Sequence, residues 1–81
     1  MSKTIHLEYY AILREQRGVK AEDVETSAHT AIQLYAELQK KHNLRLPTSI
    51  IKVAINEEFS GWNTEINSGD RVVFIPPVAG G

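Results

Sequence analysis

The alternation of apolar and polar positions near the start of the chain predicts its first strand. Over residues 4–10, Ile5, Leu7 and Tyr9 fall on one face, and polar side chains fall on the other. A period of two residues is typical of a strand that buries one face. Tyr10 shares the polar face, so the pattern places an aromatic side chain on the side that should meet solvent.

Two weaker segments follow this strand. Residues 11–18 end in glycine and predict a turn-like segment or a short helix. Residues 20–26 predict a second strand at an edge of the sheet, since Glu22, Asp23 and Glu25 are poor strand formers and charge protects an exposed edge from unwanted pairing. We interpret these three carboxylates as solvated.

The clearest element is a helix that begins after Thr30. Thr30 and Gln33 fit a capping box, in which the threonine side chain caps the helix and the glutamine side chain reaches back. Basic residues at 40–42 complement the helix dipole, and Asn43 suits the position after the last turn. The apolar positions that recur with helical spacing are Ala31, Leu34, Tyr35 and Leu38.

The second half of the chain predicts three more extended segments. Residues 50–56 form a strand, and a turn leads from it into a short extended piece around Phe59. Residues 61–69 predict a loop that contains Trp62. The last strand covers residues 71–75, and the proline that follows ends it because proline cannot continue a central ladder.

One main helix among four to five strands predicts an α+β fold. Because a single helix covers only one face of a sheet, the other face stays open. The order of the elements indicates a β-grasp, or ubiquitin-like, roll with a mixed sheet. The open face should carry Tyr10, Val73 and Ile75, and an apolar cluster on an open sheet face more often marks a protein contact than a defect.

Composition narrows the classes of function. The chain has 81 residues, no cysteine and a formal net charge of −1. The length allows one domain, the missing thiols exclude disulfides and thiolate chemistry, and the weak charge argues against nucleic acid or an anionic membrane as partner. No apolar run approaches the roughly 20 residues of a membrane span, and a signal-peptide pattern is lacking, so we expect a cytoplasmic protein.

No catalytic or metal-binding motif is apparent in the predicted domain. His6, His29 and His42 lack the spacing of metal ligands, and the serines lack a nucleophile elbow. We therefore expect no bound metal or cofactor. If a residue of this chain takes part in a chemical reaction, Gly81 is the remaining candidate.

The end of the chain differs from everything before it. Pro76 and Pro77 stiffen the backbone, and a diglycine then carries the carboxylate of Gly81. We expect residues 1–75 to form the domain and residues 76–81 to form a protruding tail. A stiff stem with a bare tip suits insertion into a narrow slot on another protein, and an unstructured chain end is the alternative.

Several short blocks together resemble the small subunit of molybdopterin synthase. The blocks are Tyr10-Ala11-Ile12-Leu13-Arg14-Glu15 with Gly18, Thr30 with Leu34 and Tyr35, Val53-Ala54-Ile55-Asn56, Ser68-Gly69-Asp70-Arg71-Val72 and Pro76-Pro77-Val78-Ala79-Gly80-Gly81. They occur in the order of that family and span nearly the whole chain. Tyr9-Tyr10, where phenylalanines are common, departs from the family pattern.

The resemblance implies a non-catalytic sulfur carrier in molybdenum cofactor biosynthesis. A partner similar to ubiquitin-activating enzymes would use ATP to adenylate Gly81, and sulfur would replace AMP to give a thiocarboxylate. The large synthase subunit, in a heterotetramer of two small and two large subunits, would use this sulfur to convert cyclic pyranopterin monophosphate into molybdopterin. The residues implied in tail insertion are Pro76, Pro77, Val78, Ala79 and Gly80, and those implied in partner contact are Tyr10, Arg14, Phe59 and Ile75.

Two other functions fit the same sequence. One is a sulfur carrier for another pathway, such as thiamine thiazole synthesis or amino-acid sulfuration. The other is a ubiquitin-like binding or modifier module with no role in sulfur transfer. A thiocarboxylate on Gly81 distinguishes both carriers from the modifier, and binding to the large synthase subunit distinguishes the two carriers.

Overall fold

The computed structural model describes residues 2–77, which form a single mixed sheet with helices beside it. The elements are β1 (Lys3–Tyr9), α1 (Ala11–Arg17), β2 (Ala21–Thr26), α2 (Ala31–His42), a 3₁₀ turn (Thr48–Ile50), β3 (Lys52–Ile55), β4 (Glu58–Ser60) and β5 (Arg71–Ile75). The strands lie in the order β2-β1-β5-β3-β4. The predicted α+β fold with one main helix and four to five strands is confirmed, and β2 is at an edge as predicted.

The two central strands, β1 and β5, are parallel, whereas the other neighbouring strands are antiparallel. Their register pairs Leu7 with Val72 and Tyr9 with Phe74. All four side chains are at most 1% exposed and face α2 as part of one core. The alternation read from the sequence therefore identified the buried face of both strands.

Two predicted strand ends are wrong. Tyr10 precedes α1 as its N-cap residue, because the chain turns at Ala11 with a φ of 51°. Ile50 lies in the 3₁₀ turn, where its N–H donates to the carbonyl of Pro47 at 3.3 Å, so β3 begins only at Lys52. In both places a local turn replaces the extended backbone that the apolar pattern predicted.

The capping of α2 is confirmed with one difference. The Thr30 hydroxyl accepts from the N–H of Gln33 at 3.4 Å, and Asn43 follows the helix with a left-handed φ of 56°. The Gln33 side chain accepts from the N–H of His29 at 2.7 Å, one residue before the expected partner. The four predicted apolar residues of the helix are at most 3% exposed.

Trp62 lies in the predicted loop, but its partly buried ring packs against the core. It stacks on Phe74 with 5.7 Å between ring centroids and packs against Tyr35 at 5.4 Å. Its indole N–H donates to the carbonyls of Thr48 and Ile51, at 3.1 and 3.2 Å. The loop after β4 therefore supplies an aromatic side chain to the core and holds the start of β3 in place.

The interpretation of Glu22 as a solvated carboxylate is wrong. Its side chain is 19% exposed and accepts two hydrogen bonds from Arg17, at 2.7 and 2.8 Å, and one from the Tyr9 hydroxyl at 2.7 Å. Hydrogen bonds from Arg17 hold the pKa of Glu22 below its usual value, against the opposing effect of partial burial. Burial, with Glu22 as its acceptor, raises the pKa of Tyr9 above its usual range.

We expect Glu22→Gln to lower the free energy of unfolding by about 1–3 kcal/mol at neutral pH, because Arg17 and Tyr9 lose a charged acceptor in a partly buried site. A lowered folded-state pKa stabilises the fold fully above the usual carboxyl value of 4.5, and this stabilisation is lost as the pH falls through the lower folded-state value. The difference between wild type and variant should therefore shrink in acid. Urea unfolding at neutral pH and at about pH 3 measures it.

The matched control is Glu15→Gln, which makes the same change at an exposed position of α1. It should leave the free energy of unfolding within about 0.5 kcal/mol of wild type at either pH. A Glu22→Gln effect that stays constant from neutral pH into acid would contradict the assigned ion pair.

Candidate functional site

The face of the sheet opposite α2 is divided along the strand direction. At the end of this face where β5 stops, the side chains are mostly apolar. We call the apolar residues there, Tyr10, Ala54, Phe59, Val73 and Ile75, the open-face patch. At the other end the face is polar, with His6 hydrogen-bonded to Asp23 at 2.5 Å and Thr4 to Glu25 at 2.6 Å. The apolar end is therefore the part suited to protein contact.

Phe59 is the most exposed large apolar residue of the patch. It lies on edge strand β4, pairs with Ala54 and is 73% exposed. The Lys52 ammonium lies 5.9 Å from the centre of its ring, within the range of a weak cation–π contact. An aromatic ring so exposed contributes little to the core, so its apolar surface is available to a partner.

The expected exposure of Val73 is wrong. Val73 lies on the open face as predicted, but it is only 8% exposed. It occupies central strand β5 between Glu8 on β1 and Ala54 on β3. Neighbouring side chains on both strands cover it, because a residue in the middle of a sheet is flanked on two sides. The exposed apolar surface therefore comes from the margins of the patch.

Parallel pairing brings three predicted contact residues to the same end of the sheet. Tyr9 pairs with Phe74, so Tyr10 and Ile75 follow at the adjacent ends of β1 and β5. Tyr10 is 44% exposed, and Arg14 lies exposed on α1 one turn further along the chain. Within residues 2–77, no hydrogen bond or ion pair holds the Arg14 side chain. Tyr10 and Ile75 therefore lie together where the tail begins, and the exposed Arg14 belongs to the helix that follows Tyr10.

The first tail residue is packed onto the domain. Pro76 is buried, Pro77 is exposed, and together with Ile50, Lys52 and Ile75 they line a depression of about 270 Å³. The stem of the tail is therefore fixed against the start of β3 before it leaves the surface. The other tail residues for which insertion or chemistry was predicted, Val78, Ala79, Gly80 and Gly81, lie outside the described residues.

Two ion pairs lie at the polar end of the open face. Arg71 contacts the carboxylates of Glu8 and Glu57, and the hydrogen bond that it donates to Glu8 raises the pKa of Arg71. Within residues 2–77, no cluster of three or more potential ligands could hold a metal ion. Nor do the helices of this region include one with the length and hydropathy of a membrane span.

Sequence reasoning missed two members of this surface. Ala54 lies between Val73 and Phe59 across the sheet, and Lys52 pairs with Ile75 at the last rung of β3 and β5. The strand period places both on the face opposite Val53, which was a usable signal. The period could not predict that β3 and β5 are neighbours. It is this pairing that places Lys52 beside the tail.

A family model and a curated relative each match most of this chain. The ThiS family model matches residues 7–81. A molybdopterin synthase sulfur carrier subunit from Haemophilus influenzae is 33% identical over 76 residues, covering 90% of this chain and 94% of that protein.

Two solved structures support the same assignment. A putative molybdopterin converting factor, subunit 1, from Pyrococcus furiosus superposes with a TM-score of 0.78 at 25% identity, covering 95% of this chain and all of that one. A chain from the complex of subunits 1 and 2 of molybdopterin-converting factor of Helicobacter pylori gives a TM-score of 0.64 at 25% identity, covering 96% of this chain and 99% of that one. The predicted β-grasp fold is confirmed.

We expect Phe59→Ala to change the free energy of unfolding by no more than about 1 kcal/mol, because the ring is mostly exposed. Phe74→Ala should lower it by about 3–5 kcal/mol, or prevent folding, because that ring is fully buried and packs against both Tyr35 and Trp62. Denaturant unfolding of the two variants measures this difference. Equal losses would show that Phe59 is a core residue and not a contact residue.

Proposed function

Because this chain belongs to the ThiS family, with its matched region running from residue 7 to Gly81, we propose that it is the sulfur-carrier small subunit of molybdopterin synthase. The observation that carries this proposal is the match across the whole tail, together with the curated relative that bears this name. A β-grasp domain that presents its apolar open-face patch beside the stem of the tail fits a carrier that delivers Gly81 to other proteins.

The proposed chemistry takes place at the carboxylate of Gly81. A carboxylate is a poor electrophile, so an adenylyltransferase first transfers AMP from ATP to it and releases pyrophosphate. A sulfur nucleophile then attacks the acyl carbon and displaces AMP, which leaves a thiocarboxylate. The carrier thereby holds sulfur although its sequence has no cysteine. The acid, base and oxyanion groups for these steps belong to the partners.

The large synthase subunit would then use the thiocarboxylate as its sulfur donor. Two sulfur atoms are needed to turn cyclic pyranopterin monophosphate into the dithiolene of molybdopterin, so two loaded carriers are consumed for each product. A complex of the two subunits is known for the Helicobacter pylori relative. We propose that the open-face patch docks on the large subunit while the stem at Pro76 and Pro77 directs the tail into it, with Arg14 at the rim.

We expect this chain to gain the mass of one oxygen-to-sulfur exchange when it is incubated with the activating enzyme, ATP and a sulfur donor. Intact-mass spectrometry measures the gain, since the carboxylate becomes a thiocarboxylate. A variant that lacks Gly81 should fold normally and gain nothing. An unchanged mass, with an activating enzyme that loads another carrier in the same buffer, would contradict the proposal.

The same experiment separates the two alternative functions. Isopeptide conjugates to lysines without any thiocarboxylate would indicate a modifier. A thiocarboxylated chain that fails to bind the large synthase subunit, or to support molybdopterin formation with it, would indicate a carrier for another pathway.

We expect Phe59→Ala to weaken binding to the large subunit by about tenfold or more, because aromatic side chains that become buried on binding carry much of the binding energy of an interface. Titration calorimetry measures the dissociation constant. The matched control is Ile32→Ala, which removes a 39% exposed apolar side chain from α2, on the other layer of the fold. Equal affinities for the two variants would place the docking surface elsewhere.

A further inference from the structure

Lys52 is a cation that lies among the apolar residues of the open face. It pairs with Ile75 at the last rung between β3 and β5, and its ammonium lies 5.9 Å from the centre of the Phe59 ring. Because side chains alternate along a strand, Lys52 shares a face with Ala54, which pairs with Phe59 on β4. Lys52 therefore lies between two members of the open-face patch, with Ile75 on one side and Phe59 on the other.

Two depressions of the surface share the Lys52 side chain. One, of about 400 Å³, lies toward β4 and is lined mainly by apolar and aromatic residues, among them Phe59 and Trp62. The other, of about 270 Å³, is the depression at the stem of the tail. Among the described residues, Lys52 is the one charged member of either lining. A protein surface that fills both depressions therefore covers Lys52.

The ion pairs of the open face do not include Lys52. Glu8, which flanks Val73, and Glu57, in the turn between β3 and β4, both contact Arg71. Within residues 2–77, no hydrogen bond or ion pair involves the Lys52 ammonium, and the residue is exposed. Water therefore solvates this charge in the free protein, and the contact with the Phe59 ring adds a weak attraction.

A partner that covers the open-face patch removes Lys52 from water. An ammonium group that loses its water without gaining a partner is strongly unfavourable, whereas a well-placed carboxylate offsets much of that cost. A purely apolar counterpart would leave the charge unpaired at the interface. The lysine therefore discriminates between surfaces that contact the patch, because an unpaired charge acts against the wrong partner.

We propose that Lys52 is a specificity-determining contact residue, which forms an ion pair with an aspartate or glutamate of the large synthase subunit. This inference rests on the proposed function and adds to it the chemistry of the docking partner. The partner surface is apolar where it meets Phe59 and Ile75, and a carboxylate lies within that apolar surface opposite Lys52. The aromatic and aliphatic residues supply contact area, and the ion pair decides which surface is accepted.

A second copy of this chain does not meet the same requirement. The open-face patch has no carboxylate of its own, so two patches in contact would leave both Lys52 ammonium groups unpaired. The acidic residues at the border of the patch, Glu8 and Glu57, already contact Arg71. The carboxylate therefore has to come from a different protein.

The sign of the effect of Lys52→Met on binding tests this inference. Methionine is uncharged and of similar length, so it would strengthen binding to a purely apolar counterpart. We expect it instead to weaken binding to the large subunit by about tenfold or more, because the partner's carboxylate is left without its cation. Titration calorimetry with the 81-residue chain measures the dissociation constant.

Three further variants complete the series. Lys52→Glu should weaken binding more than Lys52→Met, since an attraction becomes a repulsion. Lys52→Arg keeps the charge and should stay within about threefold of wild type. The matched control is Lys40→Glu, which makes the same charge reversal at an exposed position of α2 and should change the affinity by less than about twofold.

A cross-linking experiment on the wild-type complex identifies the partner residue. A carbodiimide joins an amine to a carboxylate that it contacts, so it should link Lys52 to an aspartate or glutamate of the large subunit. Peptide mass spectrometry locates the linked pair. Lys52→Arg should keep the affinity but lose this link, because the guanidinium does not react as the amine does. Exchanging the two charges, with Lys52→Glu against a lysine at the linked position, should restore much of the lost affinity.

The outcomes separate this inference from the sulfur-carrier function. Equal or tighter binding by Lys52→Met, or a cross-linked complex without a link at Lys52, would overturn the ion pair while the wild-type chain still binds and still acquires sulfur. A wild-type chain that binds the large subunit but acquires no sulfur would contradict the carrier function alone. Failure of the wild-type chain to bind the large subunit would contradict both.

Discussion

The parallel pairing of β1 with β5 is the constraint on which the rest of the structure depends. It joins segments far apart in sequence, as the ion pair between Glu8 and Arg71 at a separation of 63 positions shows. Closing so long a loop is entropically unfavourable, and burial must offset it. Tyr9 and Phe74 supply that burial, since neither is exposed and their rings lie 6.4 Å apart beneath α2. Without this pairing, β2 and β1 would not be joined to β5, β3 and β4 in one sheet.

The same pairing explains why the contact surface lies where it does. Parallel strands end at the same edge of a sheet, so the stem at Pro76 emerges beside Tyr10 and the first turn of α1. A protein that grips the tail therefore meets the apolar half of the open face at once.

Much of the fold could be predicted because its determinants are local. The cap at Thr30, the left-handed residue at Asn43 and the glycine that ends α1 each act within a few positions of the chain. The alternation in β1 and β5 gave the buried faces correctly. The candidate site could be predicted in part by the same parity, which placed Ile75 on the open face, whereas Phe59 was implied only by the family resemblance. The alternation broke down only where Tyr10 and Ile50 enter turns.

The errors concern residues whose environment is set by distant parts of the chain. Nothing near Glu22 in the pattern of β2 indicates that Arg17 and Tyr9 will surround it, and nothing near Val73 indicates that Glu8 and Ala54 will cover it. By itself the sequence determined the elements, their buried faces and a cysteine-free chain with a diglycine at residues 80–81, because periodicity, capping and composition are properties of short segments. Only the tertiary structure decided which strands are neighbours, and therefore which charges are neutralised, which apolar residues stay exposed and where the tail leaves the domain.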